Sequence, residues 1–235
     1  VGDLELSCWR GQRQAWRWPH HQHLALTMAQ LQDNSQGSPE ADPISDFKEF
    51  LQKSELQSQI EPKESFVCIT AVRIYLGQHA CQQLMAILDT LYPKDDNTHC
   101  CKEILDDCTA VLCTLMKINK GRHIKRFTET LTLNDGHLPF DPSAKPKNFP
   151  KDSETQFYVE FCKRQWMFVA VPFTENMGKH LESPNRLIPI TQMGEPARGG
   201  SGSVSRIEIH GCYNLLHGKK PPDSTCTSVS LCLFY

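Results

Sequence analysis

Ala197-Arg198-Gly199-Gly200-Ser201-Gly202-Ser203-Val204 is the stretch on which the reading turns. Upstream lies the short apolar run Leu187-Ile188-Pro189-Ile190, and downstream Val204-Ser205-Arg206-Ile207-Glu208-Ile209 has the pattern of a strand. Strand, glycine loop, strand is therefore expected, with flanking strands over 186–193 and 204–210. Glycines in such a loop let backbone N–H groups approach an anion that a Cβ would hold off. Gly199, Gly200, Ser201 and Gly202 are the candidate phosphate contacts, with Val204 placed to cover one face of a base. The competing structural reading is a flexible Gly/Ser linker. A P-loop or dinucleotide fingerprint would lead into a helix, and no Gly-Lys-Ser/Thr occurs.

The 235 residues around it give room for one medium domain or two small ones. A net charge of −2 argues against coating nucleic acid or an anionic membrane by charge alone. No apolar run approaches the roughly 18–20 residues a membrane helix needs. The 11 cysteines form no Cys-x-x-Cys, and their odd number leaves at least one thiol over in any disulfide scheme. Without an apolar export signal at the start, they read as reduced thiols of a cytosolic or nuclear protein.

Helical signals fill the first half. Asp46 and Glu49 stand at capping-box spacing before the stripe Phe47, Phe50 and Leu51. Residues 66–91 carry Phe66, Ile69, Val72, Leu76, Leu84, Ile87 and Leu88 at helical intervals. Gly77 is the expected break, and Pro93 the stop. Asn97 or Thr98 can cap a further helix over 99–118, with Cys101, Ile104, Leu105, Cys108, Leu112 and Leu115 inward and Asn119-Lys120-Gly121 at its end. The loop between these helices is short, which predicts antiparallel neighbours. Residues 127–133 read as extended, 139–152 as a Pro-rich surface connection, and 157–168 as an aromatic helix.

His99, Cys100, Cys101, Cys108 and Cys113 crowd one helix but lack the knuckle spacing of a zinc site, so they read as core thiols, and no metal ligand is assigned. No Gly-x-Ser-x-Gly elbow occurs in a strand–turn–helix context, so no nucleophile is assigned either. Residues 1–27 hold Trp9, Trp16, Trp18 and the cluster His20, His21, His23 without periodicity. The abrupt change of composition at Met28 favours translated upstream sequence over a binding arm.

Taken in order, Leu138-Pro139-Phe140, Gln165-Trp166-Met167-Phe168, Pro172-Phe173, Leu187-Ile188-Pro189-Ile190, the Gly-Gly-Ser-Gly loop, Ile207-Glu208-Ile209-His210 and Tyr213-Asn214 resemble the protein-kinase-domain proteins of filamentous fungi. Those proteins set a helical region and a Gln-Trp-x-Phe segment directly before the kinase N-lobe. The resemblance spans 46–216. It implies phosphoryl transfer from ATP with Mg²⁺ to a protein Ser/Thr hydroxyl, with nucleotide held at Gly199, Gly200, Ser201, Gly202 and Val204. Ala197 stands where the kinase pattern has its first glycine.

The departures decide the expectation. Lys219-Lys220 is followed by Pro221-Pro222-Asp223, and no His-Arg-Asp or Asp-Phe-Gly occurs in these residues. The sequence thus predicts an α+β chain whose nucleotide loop is present and whose catalytic residues are not. Its expected parts are a disordered leader and linker at 1–45, a helical module at 46–120, a Pro-rich connecting region at 121–183, a partial kinase N-lobe hairpin at 184–216 and an aberrant tail at 217–235. The alternative function is a non-catalytic helical module that docks a protein partner. An unknown protein partner or substrate is expected, with no nucleic acid and no membrane.

Overall fold

The computed structural model describes residues 42–59, 64–151, 156–174, 187–199, 202–215 and 229–234. It is mixed helix and antiparallel sheet, so the coarse α+β expectation holds. The leader at 1–41 lies outside the described residues, as do Gly200, Ser201 and 216–228. No described helix is long and apolar enough to cross a membrane.

Helix α1, Pro43–Lys53, starts three residues before the expected Asp46, with Pro43 in the first turn, where its missing N–H costs nothing. Phe47 and Leu51 are buried, and Phe50 stacks on Tyr75 at 3.9 Å between ring centroids. Strand β1, Glu55–Gln57, then pairs antiparallel with β2, Ser65–Val67. The long helix α2, Ile69–Leu91, therefore starts after Phe66 rather than at it. Its break falls at Gln78, His79, Ala80 and Cys81, just past Gly77, and the last three of these have positive φ.

The single helix expected over 99–118 is two, α3 (Thr98–Asp107) and α4 (Thr109–Lys117), separated at Cys108, whose φ is −134°. The cause is local and distant at once. The Thr109 hydroxyl donates to Ile104 O at 2.9 Å, while Asp135 accepts the N–H groups of Ala110 and Val111 that begin α4. At the start of α3 it is the Asp96 carboxylate that accepts the Thr98 N–H, at 3.0 Å, and Asn97 makes no cap bond of its own. The expected stop after α4 is a Schellman turn. Asn119 takes φ 60°, its N–H reaches Met116 O, and the Lys120 N–H reaches Leu115 O at 2.8 Å.

The extended segment expected at 127–133 is instead helix α5, Ile124–Thr128, followed by a 3₁₀ turn at Leu131–Leu133. Ile124 and Phe127, three apart, both point into the core, and that burial overrides the β-propensity of the threonines. Helix α6, Phe157–Arg164, and the 3₁₀ turn Gln165–Phe168 match the expected aromatic helix. Phe127, Phe140, Phe149, Phe157, Tyr158 and Phe161 form one aromatic cluster against the helices, continuous with the core around Leu76, Leu88, Ile104 and Leu112.

The second sheet is built on β5, Gly202–Ile209. Strands β3, Ile190–Met193, and β4, Ala197–Gly199, lie end to end along one edge of it. Gly194 sits between them, its N–H donating to Arg206 O at 2.7 Å. Strand β6, Val229–Phe234, pairs antiparallel along the other edge, from Val204↔Phe234 to Ile209↔Val229. This corrects the expected lone two-stranded hairpin, because 229–234 supplies the ladder that β5 needs on that side.

Candidate functional site

The glycine segment forms the hairpin between β4 and β5. Its backbone register pairs Gly199 with Gly202, Arg198 with Ser203 and Ala197 with Val204. Two glycines facing each other close the ladder, and Gly200 and Ser201 lie outside the described residues. The strand beside β5 on its other edge reads Val229-Ser230-Leu231-Cys232-Leu233-Phe234 and contains no lysine.

The helical cysteines are core residues. Cys100, Cys101, Cys108 and Cys113 are buried, and the Cys101 thiol donates to Met85 Sδ at 3.0 Å. Burial above all pushes the Cys108 thiol up to about 12, with the carboxylates of Asp135 and Asp107 adding to it. His99 lies exposed beside Glu103, 3.3 Å away, and joins no thiol.

A different group of side chains converges where the helical body meets the sheet. Ser58 Oγ donates to Ile188 O at 2.9 Å, and the Tyr213 hydroxyl donates to Val67 O at 3.1 Å. Phe66, Ala170 and Leu187 fill this junction, with Leu56 and Tyr213 packed against them. At its heart, one ligand-type atom each of Cys68, His210 and Cys212 lies within 4.8 Å of the others. It is the one such group of His, Cys, Asp or Glu among the described residues.

Each member arrives from a different constraint. Cys68 is the N-cap residue of α2, set there because β2 ends at Val67. It is buried, and burial raises its thiol pKa, while the backbone N–H groups of Ala71 and Thr70 act in the opposite sense. His210 follows the last residue of β5 and is 7% exposed. Its Nδ1 is buried with no hydrogen-bond partner, and burial lowers its pKa. Cys212 lies in the 3₁₀ turn Gly211–Tyr213 and is disulfide-bonded, which corrects the expectation that every thiol is reduced.

Spacing could have flagged only His210-x-Cys212. Cys68 is far away in sequence and joins them through the fold. No protein-family model, no curated protein and no solved structure matches this chain.

Proposed function

We propose that these residues are a non-catalytic part of a protein-kinase-like protein. In this reading a helical module that contacts a protein partner is joined to a glycine hairpin of the N-lobe type. The observation that carries it is β6. In a kinase the third strand of the N-lobe bears the lysine that holds the α- and β-phosphates. Here the strand beside β5 has only Ser and apolar residues, with Cys232 among them. Gly199 and Gly202 pair across the hairpin, and this supports the reading because glycines there leave no Cβ to hold off a phosphate. Neither a catalytic Asp in a His-Arg-Asp context nor an Asp-Phe-Gly metal ligand occurs in the 235 residues. A loop without these partners can touch phosphate but cannot position or neutralise a transferring phosphoryl group.

The test is titration of the 235-residue chain with ATP and Mg²⁺ by calorimetry, paired with a phosphoryl-transfer assay on a generic protein acceptor. The expected result is no transfer, and binding weaker than about 100 μM, roughly −5.5 kcal/mol. Mg²⁺-dependent binding tighter than that, or transfer that disappears in Gly202→Asp, overturns the reading.

A further inference from the structure

We propose that Cys68, His210 and Cys212 hold one zinc ion when Cys212 is reduced, and that the ion clamps the start of α2 to the end of β5.

Three observations carry this. The ligand-type atoms already lie within 4.8 Å of one another. A tetrahedral zinc, with Zn–S about 2.3 Å and Zn–N about 2.0–2.1 Å, sets neighbouring ligand atoms about 3.4–3.8 Å apart, within reach of small side-chain rotations. His210 Nδ1 is a buried ring nitrogen with no hydrogen-bond partner, an arrangement that folded proteins rarely leave without a reason. Cys68 stands where β2 ends and α2 begins, so two elements fix its position beside His210 and Cys212. The three residues come from elements that the chain otherwise joins through Tyr213, Phe66 and a few backbone bonds, so an ion here links the helical body directly to the sheet.

Two steps lead to the loaded site. The disulfide at Cys212 is first opened by two-electron reduction. A dithiol does this by exchange: its two sulfurs become a cyclic disulfide, and its two protons pass to the two protein thiols. Zn²⁺ then replaces the thiol protons of Cys68 and Cys212, which leave to the buffer, while neutral His210 donates a lone pair without losing a proton. The fourth position falls to a water. Exchange with an oxidised dithiol, which takes up the two electrons and is reduced to the free dithiol, re-forms the disulfide at Cys212, removes a thiolate ligand and releases Zn²⁺ to the buffer, so zinc occupancy follows the thiol redox state.

The experiment uses the full 235-residue chain, reduced with a water-soluble phosphine so that no added thiol competes for metal, and dialysed against zinc. Bound metal is measured by elemental analysis, and the ligand set by the thiolate-to-metal charge-transfer band of the cobalt-substituted protein. The expected result is one zinc per reduced chain, with affinity lowered at least tenfold by Cys68→Ala, His210→Ala and Cys212→Ser and unchanged by Cys108→Ala. The oxidised chain should take up less than one-tenth as much. Circular dichroism of each variant separates a lost ligand from a lost fold, and His210→Gln serves in place of His210→Ala should that variant unfold. No stoichiometric zinc in the reduced wild-type chain overturns the proposal. So does zinc uptake that survives in both Cys68→Ala and the folded His210 variant.

Discussion

The side chain of Gln165 pairs with both backbone groups of Phe140: its Oε1 accepts the Phe140 N–H at 2.7 Å, and its Nε2 donates to Phe140 O at 2.8 Å. Gln165 is fully buried and also donates to Cys162 O. It thus stands in for a strand neighbour and holds the irregular Leu138-Pro139-Phe140 segment against α6. Only an amide offers a donor and an acceptor side by side in this geometry. Gln165→Ala strips both partners from buried backbone groups and should destabilise the helical body by about 2–4 kcal/mol in urea unfolding. Gln165→Glu keeps the acceptor but sets a buried acid against the carbonyl oxygens of Phe140 and Cys162, so it should cost at least as much near neutral pH. A loss below about 1 kcal/mol for the alanine variant would show that water replaces the side chain.

Asp135 is the remote cap of α4, and its ionisation has a sign that can be measured. Burial is the largest influence and raises its pKa, against the N–H groups of Ala110 and Val111 and the guanidinium of Arg73, 3.4 Å away. A carboxyl whose folded pKa exceeds its unfolded value contributes stability that is present below the unfolded pKa and lost as pH rises through the folded one. The stability advantage of wild type over Asp135→Asn should therefore shrink as pH climbs from the unfolded carboxyl range through the raised pKa. Denaturant melts at several pH values check this. An advantage that grows with pH would show that Arg73 and the helix N-terminus outweigh burial.

The buried thiols should be inert in the folded chain. With Cys108 pushed up to about 12, its thiolate fraction near neutral pH is negligible, and Cys113 shifts in the same direction by burial. Iodoacetamide should leave both unmodified until the chain is unfolded, as read by peptide mass spectrometry. Cys108→Ser places a hydroxyl in the same apolar site and should cost about 1–3 kcal/mol. Rapid labelling of Cys108 under native conditions would contradict its burial among Ile104 and Leu112.

The kink of α2 separates two effects that sequence alone merges. A Cβ added at Gly77 would meet only Leu105 Cδ1, at 4.0 Å, and Gly77 is not among the non-helical residues. Gly77→Ala should stabilise by about 1 kcal/mol through helix propensity. Ala80 has φ 55°, a conformation that disfavours a side chain, so Ala80→Gly should also stabilise, by about 0.5–1 kcal/mol after the entropy of the added glycine is counted. Thermal melts of the two variants decide it, and destabilisation by Ala80→Gly would mean that the break is not held in the left-handed region.

Much of the helical half was legible in advance, because its signals are local. Apolar residues at three- and four-residue intervals determine which face of α1, α2 and α6 turns inward. Pro93 ends α2, and Asn119 supplies the left-handed turn after α4, since each acts on its own neighbours. The burial of Cys101 and Cys108 likewise followed from their positions on the apolar stripe. What the tertiary structure decided rests on partners far apart in the chain. The break at Cys108 needs Asp135, a strand at 65–67 needs 55–57, and the pairing of β5 on its second edge needs 229–234. The helical turn at 124–128 wins over threonine-rich β-propensity only because a core is there to receive Ile124 and Phe127. The cluster of Cys68, His210 and Cys212 has no sequence signature beyond His-x-Cys, since its geometry comes from docking a helix start onto a strand end. Local periodicity is written residue by residue, whereas a site assembled from three elements exists only once the chain has closed the loops between them.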